Sequence, residues 1–147
     1  MMERLIHTQL PARGRILLAE DNPSEAALLE EAFAGQQLSV DIQCVSDGEE
    51  LLTQLRQISR GHDASRFDLI LLDLHLPRRS TEEVLTTLRF ENLRLDVPVT
   101  VLSSNVSIEQ SAHLRKLGVQ TMLLKPLDLE GYFELARNLS QSWCREA

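Results

Sequence analysis

With 147 residues, 43% of them hydrophobic and 25% charged, the chain has the size and composition of one globular domain with a single sizeable core. A formal net charge of −7 excludes the basic surface that nucleic-acid binding needs. No apolar run approaches the ~20 residues of a membrane span, and Met1 to Arg13 lacks the apolar core of a signal peptide. Two cysteines make no disulfide pattern: Cys44 falls in an apolar alternation and reads as a buried thiol, and Cys144 lies near the end. A reducing, cytoplasmic setting fits that usage.

Residues 1–14 are polar, carry Pro11 and Gly14, and read as a tail. Strand and helix patterns then alternate five times over residues 15–147. Arg15 to Ala19 is the first strand. Asn22 offers a helix cap, Pro23 suits the first helical position and Glu25 completes a capping-box-like spacing. Ala26, Leu29, Ala32 and Phe33 form the buried stripe of that helix. Val40, Ile42 and Cys44 alternate as a second strand, and Ser46 with Glu49 has capping-box spacing ahead of Leu51, Leu52, Leu55 and Ile58. Ser59 to Arg66 is a polar loop. The third strand ends at Asp73, and Ser80 with Glu83 repeats the cap before Val84, Leu85 and Leu88. Val99 to Leu102 follows Pro98 as the fourth strand. Ser107 and Gln110 cap a fourth helix that stops at Gly118, Thr121 to Leu124 is the fifth strand, and Asp128 caps a last helix to about Trp143.

Continuously apolar strands belong to a sheet covered on both faces, so the sheet is expected to be parallel. Right-handed crossovers then give an α/β, doubly wound domain of five strand–helix units with helices on both faces.

The chemistry gathers at the strand ends. Ile16-Leu17-Leu18-Ala19 runs into Glu20-Asp21, Leu69-Ile70-Leu71-Leu72 into Asp73, Val101-Leu102 into Ser103, and Met122-Leu123-Leu124 into Lys125-Pro126. An acid after a strand is, taken singly, more often a cap or a solvated loop residue, and a lone Lys-Pro is usually a turn. Convergence changes that, because ligands of open α/β sheets bind at the carboxyl ends of the strands. Carboxylates crowded together favour a raised pKa or a bound cation. Magnesium takes hard oxygen ligands, a lysine offers a point charge to a phosphoryl oxygen, and a serine adds a hydrogen bond. These are the parts for moving a phosphoryl group onto a carboxylate.

The stretches 16–22, 68–77, 98–104 and 124–126 together resemble a receiver domain of two-component response regulators, in order and approximate spacing, over about residues 15 to 140. The resemblance implies a CheY-like, flavodoxin-like fold with strand order 2-1-3-4-5. It implies Asp73 as phosphoacceptor, Glu20 and Asp21 as the acidic pair holding Mg2+ with Asp73, and the backbone carbonyl of His75 as a further metal ligand. It implies Ser103 as the switch hydroxyl, Ser104 at the small position admitting the phosphoryl group, Lys125 as the family's lysine, and a cis bond before Pro126. The chain departs from the pattern at Glu20, where many receivers have Asp. It departs again at Thr81, where most have glycine, so that loop is expected to be shaped differently. Met122 stands where the family has an aromatic switch residue.

The chain leaves no room for an effector domain after the last helix, so output by protein contact or phosphoryl relay is expected. The Asn22-Pro23 helix start and the 59–66 insertion resemble single-domain regulators encoded with bacterial phytochromes. That implies a sensor histidine kinase as partner, a bacteriophytochrome, with a downstream protein or phosphotransfer partner. Leu129, Tyr132, Ala136, Leu139 and Trp143 recur at spacings of 3, 4, 3 and 4, a seam suited either to packing on the sheet or to a homodimer. Two other readings compete with the switch. One is a receiver-fold binding module that does not use phosphorylation. The other is a small phosphohydrolase, against which His75 stands where such enzymes commonly place a second Asp. No catalytic activity as an enzyme is expected.

Overall fold

The computed structural model describes residues 13–36, 39–61 and 66–144, and side chains within 14–141 of that set. Most of the proposed tail (1–12), part of the polar loop (62–65) and the side chain of Trp143 lie outside the described residues.

The elements in chain order are β1 (Arg13–Ala19), α1 (Pro23–Ala34), β2 (Ser39–Val45), α2 (Gly48–Ser59) and β3 (Leu69–Asp73). They continue with α3 (Thr81–Phe90), β4 (Val99–Ser103), α4 (Ile108–Lys116), β5 (Thr121–Leu124) and α5 (Leu129–Cys144). The five strands pair in parallel in the order β2-β1-β3-β4-β5. β1 starts two residues before the expected Arg15, because Arg13 and Gly14 pair with Ser39 and Val40 of β2.

Successive strand residues point to opposite faces, and the two faces build two cores. Leu17, Ala19, Ile70, Leu72 and Val101 meet the stripes of α2 and α3, with Leu114 of α4. Ile16, Leu18, Leu69, Leu71 and Leu102 meet α1 and α5. The central strands β3 and β4 are buried along their whole length, which is why β3 reads as an apolar run up to Asp73 and β4 as a mostly apolar one broken by Thr100.

Helix starts follow the sequence signals with two corrections. Asn22, Ser80, Ser107 and Asp128 all accept from backbone N–H groups of the turn they precede. The cap of α2, however, is Asp47 rather than Ser46: its carboxylate accepts from Glu50 N at 2.9 Å. The frame is set by a tertiary contact, in which Gly48 N donates to Pro77 O at 3.0 Å. A Cβ at Gly48 would sit 2.0 Å from Arg79 O, so no other residue lets the two segments come this close. Glu25 does not close a capping box either. The Asn22 N–H goes to Glu20 Oε2 at 3.2 Å, and the Glu25 carboxylate is engaged elsewhere.

Two further expectations change, and one open alternative narrows. Cys44 is exposed, because β2 is the edge strand and the cover of α1 fades toward its end. Of the two uses left open for the α5 stripe, its described side chains support packing within the chain: Tyr132 and Ala136 are buried in the core with α1, Leu139 packs against them, and Leu129 is exposed. The bond before Pro126 is trans, as no peptide bond among the described residues is cis; an X–Pro bond prefers trans by about 0.5–1 kcal/mol.

Candidate functional site

The parallel sheet sends β1, β3, β4 and β5 out at the same edge, and each ends in a polar residue. Glu20 follows β1, Asp73 closes β3, Ser103 closes β4 and Lys125 follows β5. Glu20, Asp73 and Ser103 are buried, at 4%, 6% and 1% exposure, whereas Asp21 is open to solvent. One carboxylate oxygen from each of Glu20, Asp21 and Asp73 lies within 4.8 Å of the others. This is a hard-oxygen donor set that suits Mg2+.

Lys125 reaches into the acids. Its Nζ lies 3.3 Å from Asp73 Oδ2, 3.5 Å from Glu20 Oε1 and 2.6 Å from Glu25 Oε1. Burial works against the ammonium charge. The hydrogen bond to Glu25 and the charges of Asp73 and Glu20 outweigh it and hold Lys125 above the ordinary lysine range. Glu20 moves the other way for an acid. Burial, then the charge of Asp73, pushes its pKa up to about 7, against the pull of the Asn22 N–H and Lys125. A crowded, half-neutralised acidic pocket is electrostatically short of one cation.

The loop after β3 fixes the acceptor's backbone. His75 N donates to Asp73 Oδ1 at 3.2 Å, and the His75 side chain is exposed. Thr81 is fully buried as the first residue of α3, and its hydroxyl donates to the backbone carbonyl of Asp73. The left-handed turn of this loop falls at Arg78 (φ 71°), so the β-branched Thr81 carries no positive φ. On the opposite side, the Ser103 hydroxyl donates to Asn105 O at 2.9 Å and accepts from Asn105 N at 3.2 Å. It is committed to its own loop, and Ser104 beside it is exposed. Met122 is half-buried against the α2–α3 core, at the edge of a groove of about 460 Å³ that Val106, Ile108 and Leu124 also line.

Two contacts were not foreseen in the sequence. Glu25 looked like a cap, and only its place in the first turn above the same sheet edge hinted at the site. Thr81 stood out as a missing glycine, a signal that marked the position without naming its bond.

The family model of the response regulator receiver domain matches residues 16–137. The phosphorylated cyanobacterial phytochrome response regulator RcpA is 34% identical, with a TM-score of 0.77 over 92% of this chain and 97% of that one. RPA3017, a response regulator in red light signalling of R. palustris, is 31% identical, with a TM-score of 0.75 over 91% and 96%. Response regulator Rcp1 of Synechocystis is 27% identical over 128 residues, 87% of each chain. The Mn2+-bound form of Rcp1 superposes with a TM-score of 0.74 at 26% identity, over 91% and 96%. With its five-stranded parallel sheet and its acids and lysine at one edge, this chain belongs to the response regulator receiver domain family.

Proposed function

We propose that this protein is a phosphoacceptor switch in which Asp73 takes a phosphoryl group from a histidine kinase. The observation that carries the reading is the Asp73 carboxylate, set among Glu20, Asp21 and Lys125 at the carboxyl edge of the sheet. In the transfer, a carboxylate oxygen of Asp73 attacks phosphorus. The new O–P bond forms as the P–N bond to the kinase histidine breaks, and the nitrogen leaves with the electron pair and takes up a proton. Glu20, Asp21, Asp73 and the His75 carbonyl would hold Mg2+. When bound, the ion supplies positive charge that offsets the carboxylates and the phosphoryl oxygens. Lys125 offers its ammonium to one phosphoryl oxygen, Ser103 turns from Asn105 to donate to another, and exposed Ser104 leaves room for the group. With a small phosphodonor and Mg2+, intact mass is expected to show one phosphoryl adduct on the wild type and none on Asp73→Asn. An unmodified wild type would sink the switch in favour of a phosphorylation-independent binding module.

The likeness to RcpA, Rcp1 and RPA3017 supports a place in phytochrome light signalling, with a bacteriophytochrome kinase as donor and output through a protein contact. A homodimer would use the surface beside β5, not the buried seam of α5. Ile108, Leu124, Leu127 and Leu129 are all exposed there, at 86%, 67%, 101% and 42%. Large apolar side chains left this exposed support the reading of an interaction surface. Sedimentation at tens of micromolar is expected to give a dimer mass that Leu127→Glu lowers to a monomer; a wild-type monomer counts against self-association.

A further inference from the structure

We propose that Glu25 is a latch on Lys125: it holds the ammonium on the α1 side of the pocket and must release it before a phosphoryl group on Asp73 can be neutralised. Glu25 is thus a positioning residue, acting through Lys125, and this rests on the phosphoacceptor reading above.

The geometry sets the order of the contacts. The Lys125 ammonium has three N–H donors and faces three carboxylates. Its contact with Glu25, at 2.6 Å, is far shorter than those with Asp73 at 3.3 Å and Glu20 at 3.5 Å. Glu25 stands outside the acidic cluster of Glu20, Asp21 and Asp73 and is partly exposed, and among the described residues its carboxylate is hydrogen-bonded to Lys125. It is also placed firmly. Asn22 caps α1 through Ser24 N and Glu25 N, and the N–H of Asn22 itself is held by Glu20. The capping interactions that start α1 therefore fix the backbone from which Glu25 reaches the lysine.

A phosphoryl group arriving on Asp73 brings oxygens that compete for the ammonium, whose shortest contact is now to Glu25. Charge-assisted hydrogen bonds are the strong ones, so giving up the shortest of them opposes the transfer. Removing the carboxylate of Glu25 leaves Lys125 free to meet the incoming group, and the transfer speeds up.

The test follows phosphoryl uptake from phosphoramidate with Mg2+ by intact mass over time. Glu25→Gln is expected to be phosphorylated about tenfold faster than wild type, a change of one hydrogen bond to a charged group. Glu25→Ala, which suits a helix better still, is expected to gain as much and guards against misfolding. Glu25→Asp keeps the charge, which the flexible lysine can follow, and is expected to stay within about threefold of wild type. A Gln variant no faster than a phosphorylated wild type overturns the latch while leaving the acceptor reading intact, and so does an Asp variant that gains as much as Gln. A wild type that takes up no phosphoryl group removes the acceptor reading, and the latch with it.

Discussion

Lys125→Met is expected to destabilise the metal-free protein by about 3–5 kcal/mol at pH 8, the usual loss when one partner of a buried charge group is removed. The reasoning starts from exposure. The side chains of Glu20 and Asp73 are 3% and 7% exposed, and that of Lys125 is 15% exposed. Without the ammonium, two buried carboxylates face each other with Asp21 at hand and no cation between them. The sign with pH follows from Glu20. Its pKa in the fold, about 7, lies above that of the unfolded chain. An acid shifted upward stabilises the fold below its unfolded pKa and loses that contribution as pH rises through the folded value. The defect should therefore be largest at pH 8 and shrink toward pH 5, where Glu20 carries a proton. Urea midpoints at the two pH values measure it. Mg2+ at about a hundredfold its Kd should restore roughly 2.7 kcal/mol at pH 8. A loss of the same size at both pH values would mean that the lysine stem, not its charge, matters.

Mg2+ affinity is expected to fall about tenfold per pH unit below pH 7 and to level off above it, because Glu20 must lose its proton before it can be a ligand. The drop from pH 8 to pH 5 is then about a hundredfold. Glu20→Gln is expected to bind more weakly at pH 8 and to lose this slope. Calorimetric titration across the range reads both. The two acids of the pair differ here: Asp21 is exposed, whereas Glu20 is buried and answers to the charge of Asp73. An affinity of the wild type that does not change between pH 5 and pH 8 would remove Glu20 from the ligand set.

Much of this could be seen in the chain itself, and the reasons for the rest are physical. The largely apolar runs of β3 and β4 announced a sheet covered on both faces, and the site residues are simply what stands at the ends of the runs. Ser80 and Glu83 form the capping box their spacing suggested. Ser46 and Asp47, both good caps, lie side by side ahead of Glu49 and Glu50; local spacing could not choose between the two frames, and the contact of Gly48 with Pro77 did. Periodicity in α5 described an apolar stripe without saying whether the partner was the same chain or another, and its described residues pack with α1 and one face of the sheet. Cys44 depended on β2 being an edge, which is a property of strand order. Glu25 and Lys125 are a hundred residues apart in sequence, and no local pattern ties them.

The close seat of Gly48 against Arg79 gives the pocket two unequal walls. On one side the chain after Asp73 is pinned: Pro77 is bonded to Gly48, Arg79 leaves no space for a side chain there, and Thr81 ties α3 to the acceptor's own carbonyl. On the other side the backbone of Ser103 is paired with β5, but its hydroxyl is held only by Asn105 of the following loop, next to an open groove and a flexible methionine. If Asp73 takes up a phosphoryl group, as proposed above, the pinned α3 side leaves the β4–β5 side as the freer wall, and the expected direction of response is toward Met122 and the exposed Leu124 and Leu127, without an aromatic lever.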